Sequence, residues 1–517
     1  MKRKLLELCK KGDLSGVKQL LRDSPVDIHA DNGCVFEYAC LSGNIELVKF
    51  LIEYAISIDS PIDIHANNEC GFEYACLSGN IELVKFLIEY AISIDSSIDI
   101  HADSGCGFRN ACLSRNVKLV KFLIEYAISI GSLIDIHIDE EWGFTNACLS
   151  GSVELIKYLL EYAVSIDSPI DIHVDEDWGF TNGCHSGNQE LVEFLLDYAA
   201  TIGSPIDIHI NQEWGFTNAC YSGNKELVKF LLEYAESINS PIDIHISDEL
   251  GFANACLSGN TELVKFLLEY AVSIGSPIDI QAGNERGFIY SCKSGSTELV
   301  KFLLEYATSD SPINIHANSG WGFANACLSG STELVKFLLE YAISIDSPIN
   351  IHANYDWGFA DACLSGSTEL VKFLIEYAIS IDSPIDIHAN NGWGFTNACK
   401  SGSTELVNFL LEYAVSIGSP IDIHAENSSA FTREITDNNN NQIIQLLVDE
   451  CKFTSIKYLY DEDNKTGYIF NPDLNISLSH TYEYNGALFQ MCPKKTPPNQ
   501  TFLDENIHKL IRKKSAK

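Results

Sequence analysis

Trp393-Gly394-Phe395-Thr396-Asn397-Ala398-Cys399-Lys400-Ser401-Gly402-Ser403-Thr404-Glu405-Leu406-Val407-Asn408-Phe409-Leu410-Leu411-Glu412-Tyr413-Ala414-Val415-Ser416-Ile417-Gly418-Ser419-Pro420-Ile421-Asp422-Ile423-His424 is one period of a pattern that runs down the chain. Phe395–Ser401 reads as a short helix with small residues where another helix must approach, and Gly402 as the left-handed residue that ends it. Ser403 stands as N-cap of a longer helix from Glu405 to Ser416; the same position elsewhere is Asn or Ser, both strong caps. Leu406, Phe409, Leu410 and Tyr413 fall at i, i+3, i+4 and i+7, which predicts a buried stripe. Pro420 cannot continue the helix, so Ile421-Asp422-Ile423-His424 is extended and leads into a short polar turn. In the third unit the turn glycine is replaced by Arg115, which should strain that turn.

The last residue of this phrase recurs as His29, His65, His101, His137, His173, His209, His245, Gln281, His316, His352, His388 and His424. Ten of the eleven intervals are 36 residues, and only Gln281 to His316 is 35. A period in this range predicts an all-α helical solenoid, elongated and right-handed, in which helix-turn-helix units with short hairpin fingers stack and none buries its apolar face alone. The short interval predicts a shortened helix end near Ala307-Thr308-Ser309-Asp310. Residues 1–29 read as an N-terminal capping repeat, 30–424 as eleven near-identical repeats and 425–450 as a degenerate C-terminal cap. Residues 451–517 read as a non-repeat segment, partly disordered, with loop or short strands over 461–500. A solenoid offers a long surface rather than an enclosed pocket, so recognition is favoured over chemistry.

Charge narrows the partners. Lys+Arg is 34 and Asp+Glu is 71, a net of −37; residues 19–451 hold 18 basic and 62 acidic groups, a net of −44. Such an array repels phosphate backbones, so no nucleic acid is expected on it, and a basic protein surface would be steered towards it. Of 17 cysteines, Cys9, Cys40, Cys76, Cys112, Cys148, Cys184, Cys220, Cys256, Cys292, Cys327, Cys363 and Cys399 share one repeat position. Stacked units repeat at roughly 10 Å, too far for disulfides, whose Cα atoms lie within about 7 Å. Buried, reduced thiols and an intracellular setting follow as expectations. Glu7 and Lys10 interrupt the apolar run at the start, which therefore does not read as a signal peptide, and no stretch is long enough to span a membrane.

Ala398-Cys399-Lys400-Ser401-Gly402, Glu405-Leu406-Val407-Asn408-Phe409-Leu410-Leu411 and Asp422-Ile423-His424-Ala425 resemble segments of the ankyrin repeat. The resemblance covers residues 5 to about 450. Trp393-Gly394-Phe395-Thr396 replaces the family's Thr-Pro-Leu-His, the second helix is longer and the finger shorter. This long-helix, Asp-Ile-His form looks like the ankyrin proteins that giant DNA viruses encode in large numbers. The resemblance implies a non-enzymatic protein-protein interaction scaffold, monomeric and acting in the host cytoplasm or nucleus.

All six tryptophans occupy one repeat position: Trp142, Trp178, Trp214, Trp321, Trp357 and Trp393. One reading makes them groove-facing patches, the first rimmed by Asp139, Glu140, Glu141, Asp175, Glu176 and Asp177, suited to Lys- or Arg-bearing segments. The other makes each a packing residue against its neighbour's hairpin. The histidines replace the family's finger asparagine and read as braces, with a pH response as the alternative; at the unit spacing they cannot share one zinc. No phosphate-binding glycine loop, nucleophile elbow, Cys-x-x-Cys or His-Glu-x-x-His occurs, so neither catalytic residues, a cofactor nor a metal is expected. Thr501-Phe502-Leu503-Asp504-Glu505-Asn506-Ile507 with Leu510-Ile511 has a faint similarity to the F-box-like end of poxvirus ankyrin proteins, so a ubiquitin-ligase substrate adaptor is the alternative function.

Overall fold

The computed structural model describes residues 2–23, 28–29, 34–307, 311–419 and 421, with four strand segments between 457 and 491. The chain divides into two compact units, one comprising Leu5–Asp23 and Ile28–Gly322, the other beginning at Phe323. Both are built from the same helix pair. The array is all-α, with consecutive helices packed as in an ankyrin solenoid.

The second helix of each pair is set by its cap and its apolar face. Ile81–Ser93 starts after Asn80, whose side chain accepts from the N–H groups of Glu82 and Leu83. Leu83, Val84, Leu87, Ile88 and Ala91 are then buried. The same holds for Leu406, Val407, Leu410 and Ala414. Phe409 and Tyr413 differ from the expected stripe: they sit half-buried at its edge, stacked on each other at 6.0 Å, with the Lys372 ammonium 5.1 Å from the Phe409 ring. The burial goes to Val407 and Ala414 because a helix packed between neighbours presents a wider face than one i, i+4 ridge. The helix inside the short interval, Thr297–Tyr306, has 10 residues where the preceding one has 13, as the missing residue predicts.

The first helix ends on left-handed glycines such as Gly79, at φ +72°, whose N–H returns to the Cys76 carbonyl. Arg115 is held in that same left-handed region at φ +64°. Successive first helices lock through a contact the motif Gly-Phe encodes. The Phe180 ring lies so close to Gly215 of the next helix that a Cβ there would fall 2.4 Å from it. Glycine is therefore required by approach, not by backbone angle. The capping asparagines add a polar tie, since Asn80 donates its amide to the Gly43 carbonyl and Asn116 to that of Gly79.

In the C-terminal segment, β1 (Lys457–Asp461), β2 (Thr466–Phe470), β3 (Thr481–Tyr484) and β4 (Ala487–Met491) form a sheet in the order β1-β2-β4-β3, with β2 and β4 parallel. β2, β3 and β4 fall in the region read as loop or short strands, and β1 lies just ahead of it. The degenerate cap at 425–450, the F-box-like stretch at 501–511 and the basic end lie outside the described residues.

Candidate interaction face on the fingers

The described fingers contain a feature the periodicity does not reveal, a turn of consecutive left-handed residues. Asp139, Glu140 and Glu141 have φ of 50°, 57° and 63°. The same run appears at Asn67-Asn68-Glu69, Asp175-Glu176-Asp177, Asn211-Gln212-Glu213 and Ser247-Asp248-Glu249. For L-residues this conformation costs roughly 1–2 kcal/mol each, so something must hold it.

The third residue of the turn supplies the hold. Glu141 is buried, and its Oε1 accepts from His137 Nδ1 at 2.7 Å and from the Asp171 N–H of the next unit at 3.2 Å. His137 Nε2 meets Ser168 Oγ at 2.8 Å, in the turn that leads to that same next unit. The chain Ser–His–carboxylate–N–H thus ties one finger to the following one. It recurs as Ser96–His65–Glu69–Asp99, Ser240–His209–Glu213–Asp243 and Ser276–His245–Glu249–Asp279. Gln281 does the work of histidine with its amide, donating to the Pro312 carbonyl and accepting from Ser311. Both imidazole nitrogens are occupied in these clamps, which is the geometry of a brace. The serine-histidine-carboxylate order has the connectivity of an acyl-transfer relay, but here it is spent on joining adjacent turns.

This inward turn corrects one part of the sequence reading. Glu141 and Asp177 do not rim the tryptophans; they are 6% and 5% exposed and bonded to His137 and His173. Glu140, Asp175 and Glu176 are exposed. Asp139 is exposed too, yet paired with the Arg109 guanidinium at 2.6 Å, and that guanidinium lies 4.9 Å from the Trp142 ring. Arg109 was not singled out from the sequence; its being the one basic residue at a repeat position held elsewhere by Glu, Thr, Ala or Ile is the signal that could have found it.

Trp142, Trp178, Trp214 and Trp321 are 38–48% exposed, with Cys148, Cys184 and Cys220 fully buried on the same helices. Thr145, Thr181 and Thr217 each donate a hydroxyl to the carbonyl of the tryptophan three residues earlier, fixing the first turn. Trp357 and Trp393 are half-buried and meet edge-on, their centroids 6.2 Å apart. The structure brings together Arg109, Asp139 and Trp142, and Trp357 with Trp393.

In the earlier fingers cysteine stands at the tryptophan position. Burial pushes the Cys70 thiol up to about 12, with the Glu37 and Glu73 carboxylates adding to the shift. Glu73, Asp103 and Cys106 are the one group of three potential metal donors that converge among the described residues. Burial raises both the thiol of Cys106 and the carboxyl of Glu73, and Arg109 offsets part of each rise, so a guanidinium already supplies some of the counter-charge a cation would bring. The repeat-position cysteines are buried, and burial raises the thiols of Cys40, Cys76, Cys148 and Cys220 well above their ordinary value.

The sequence profile of ankyrin repeats in three copies matches residues 5–98, 216–315 and 252–349, so these stretches are ankyrin repeats. Among solved structures, the crystal structure of the human ASB11 ankyrin repeat domain is similar at 19% identity, over 41% of this chain and 95% of that chain, with a TM-score of 0.27. No curated protein matches the chain. Among the described residues no helix is long and apolar enough to cross a membrane.

Proposed function

We propose that this protein is a protein-binding scaffold whose partner presents a basic surface to the finger face of the ankyrin array. Ankyrin repeats are interaction modules, and a stacked array presents its fingers as one extended surface. The observation that carries the reading is the exposure of Trp142, Trp178 and Trp214 on three consecutive fingers beside exposed Glu140, Asp175 and Glu176. Exposed aromatics among carboxylates suit Lys and Arg side chains, through the ring face and through charge. Asp139 acts within the protein on this reading, orienting Arg109 against Trp142, and Trp357 with Trp393 forms a second aromatic contact point.

The test is the triple variant Trp142→Ala, Trp178→Ala, Trp214→Ala. Affinity capture from cell extract with wild type and variant, read by quantitative mass spectrometry, should lose a discrete set of basic proteins. Helicity should stay, because the tryptophans are not core residues. A steep fall in melting temperature with capture unchanged would assign them to the scaffold instead.

A further inference from the structure

A second surface lies on the second helices, away from the tryptophan position in sequence and in element. The second helices of four consecutive units end in a pair of aliphatic residues that face water: Ile56 and Ile58, Ile92 and Ile94, Ile128 and Ile130, Val164 and Ile166, all 45–62% exposed. Leu133 adds a fifth exposed aliphatic contact between the third and fourth pairs. Single exposed hydrophobes need no explanation, but a patch repeated at one place on four consecutive units does.

The charges that flank the pairs in sequence are of one sign, and the nearest preceding lysines, Lys49, Lys85, Lys121 and Lys157, are set over the Phe86, Phe122, Tyr158 and Phe194 rings. Residues 50–66, 86–102, 122–138 and 158–174 hold eleven acidic residues and no Lys or Arg. Three of those carboxylates sit where both backbone and field oppose them. Asp59, Asp95 and Asp167 take the left-handed position just past the helix end, at φ 58°, 54° and 56°. Glycine, which occupies the equivalent Gly131 and Gly203, would be unstrained there. The helix C-terminus is also the negative pole, so an anion is disfavoured at it and a cation favoured. Groups kept in such places point to a partner that repays them.

We infer that the ridge from Ile56 to Ile166 is a docking surface for a cationic amphipathic helix. Stacked units repeat at roughly 10 Å, and seven residues of α-helix rise about 10.5 Å. Aliphatic side chains at heptad spacing therefore meet one aliphatic pair per unit, with Lys or Arg between them facing the aspartates. An extended strand advances the same distance in about three residues, an odd number that turns every second anchor away. A second copy of the chain is disfavoured because residues 19–451 carry a net −44.

The experiment uses the full chain and a labelled synthetic helix with Leu at every seventh position and Lys at the flanking ones. Fluorescence anisotropy should show binding that weakens with salt. The variant Ile56→Ser, Ile92→Ser, Ile128→Ser, Val164→Ser should weaken it by at least about tenfold, because four half-exposed aliphatic contacts are lost. Asp59→Asn, Asp95→Asn, Asp167→Asn keeps a side chain that tolerates the left-handed turn and should flatten the salt dependence. The tryptophan triple variant should bind the peptide as wild type does, which separates this surface from the finger face. Equal affinity for the serine variant, or equal binding of a peptide with Leu replaced by Ser, would overturn the inference. So would a dimer in analytical ultracentrifugation that the serine variant abolishes, or a carbodiimide crosslink from Asp59 or Asp95 to the chain's own C-terminal lysines with no peptide bound.

Discussion

Two neighbouring fingers solve one backbone problem differently. In the finger of His65, the third left-handed residue is Glu69, buried and bonded to His65 and to the Asp99 N–H. In the next finger it is Gly105 at φ +67°, and His101 keeps only its bond to Ser132. Glycine meets the left-handed requirement by having no Cβ. Glutamate meets it by making hydrogen bonds that outweigh the strain. The second route also couples each unit to the next, so a conformationally costly residue becomes the one that transmits stability along the stack.

The largest effect should come from breaking the carboxylate route. Glu213→Ala leaves His209 and the Asp243 N–H without their acceptor while keeping the left-handed strain, for an expected loss of about 2–4 kcal/mol. Glu213→Gly should recover about 1 kcal/mol of that by relieving the strain. Denaturant unfolding with hydrogen exchange at the Asp243 amide measures both, and equal losses in the two variants would remove strain from the comparison.

Next comes the histidine. His209→Ala should cost about 1–2 kcal/mol, the loss of two clamp hydrogen bonds. His209→Gln should cost less, because Gln281 already spans the same turn in its own unit. If glutamine is no better than alanine, the clamp depends on the imidazole-carboxylate contact alone.

A polar position beside the fingers offers a gain and a pH signature. Asn254 and Asn397 donate to the carbonyls of Thr217 and Ala360 in the preceding unit, whereas the equivalent residue Asp361 has no N–H to give. Burial raises its carboxyl from 3.8 to about 6. A folded value above the unfolded one means that its contribution is complete below the ordinary carboxylate range and is lost as pH rises through about 6. Asp361→Asn should therefore stabilise at neutral pH by about 1 kcal/mol and abolish the loss between the two values. Melting curves across that window decide it.

The smallest change is expected where a glycine finger is converted. Gly105→Glu introduces a Cβ that meets Ile138 at ordinary contact distance, 3.6 Å, and a carboxylate four residues after His101. The added strain and the added hydrogen bonds should cancel to within about 1 kcal/mol. A loss several times larger would show that the two fingers are not interchangeable.

Much of this was legible in the residues. The 36-residue period, the Asn and Ser caps, the left-handed glycines, the shortened helix at Thr297–Tyr306 and the buried cysteines all follow from local rules that act within a few residues. The tryptophan position was legible as well, and its exposure on Trp142, Trp178 and Trp214 fits the recognition reading. Glu141 and Asp177 were misplaced on the rim because an acidic run has no periodicity to say which member turns inward. The exposed aliphatic pairs from Ile56 to Ile166 were not legible, since hydropathy alone does not tell a core isoleucine from one facing water.

By itself, then, the amino-acid order determined the helix pairs, their ends and the repeat that stacks them, because capping, glycine geometry and apolar periodicity are settled by residues close in sequence. Tertiary structure alone decided the left-handed finger turn, the direction of Glu69 and Glu141, and the fit of Phe180 over Gly215. Each of these depends on a partner roughly one repeat away: a backbone N–H, a serine hydroxyl or a ring edge that exists only once the next unit has stacked.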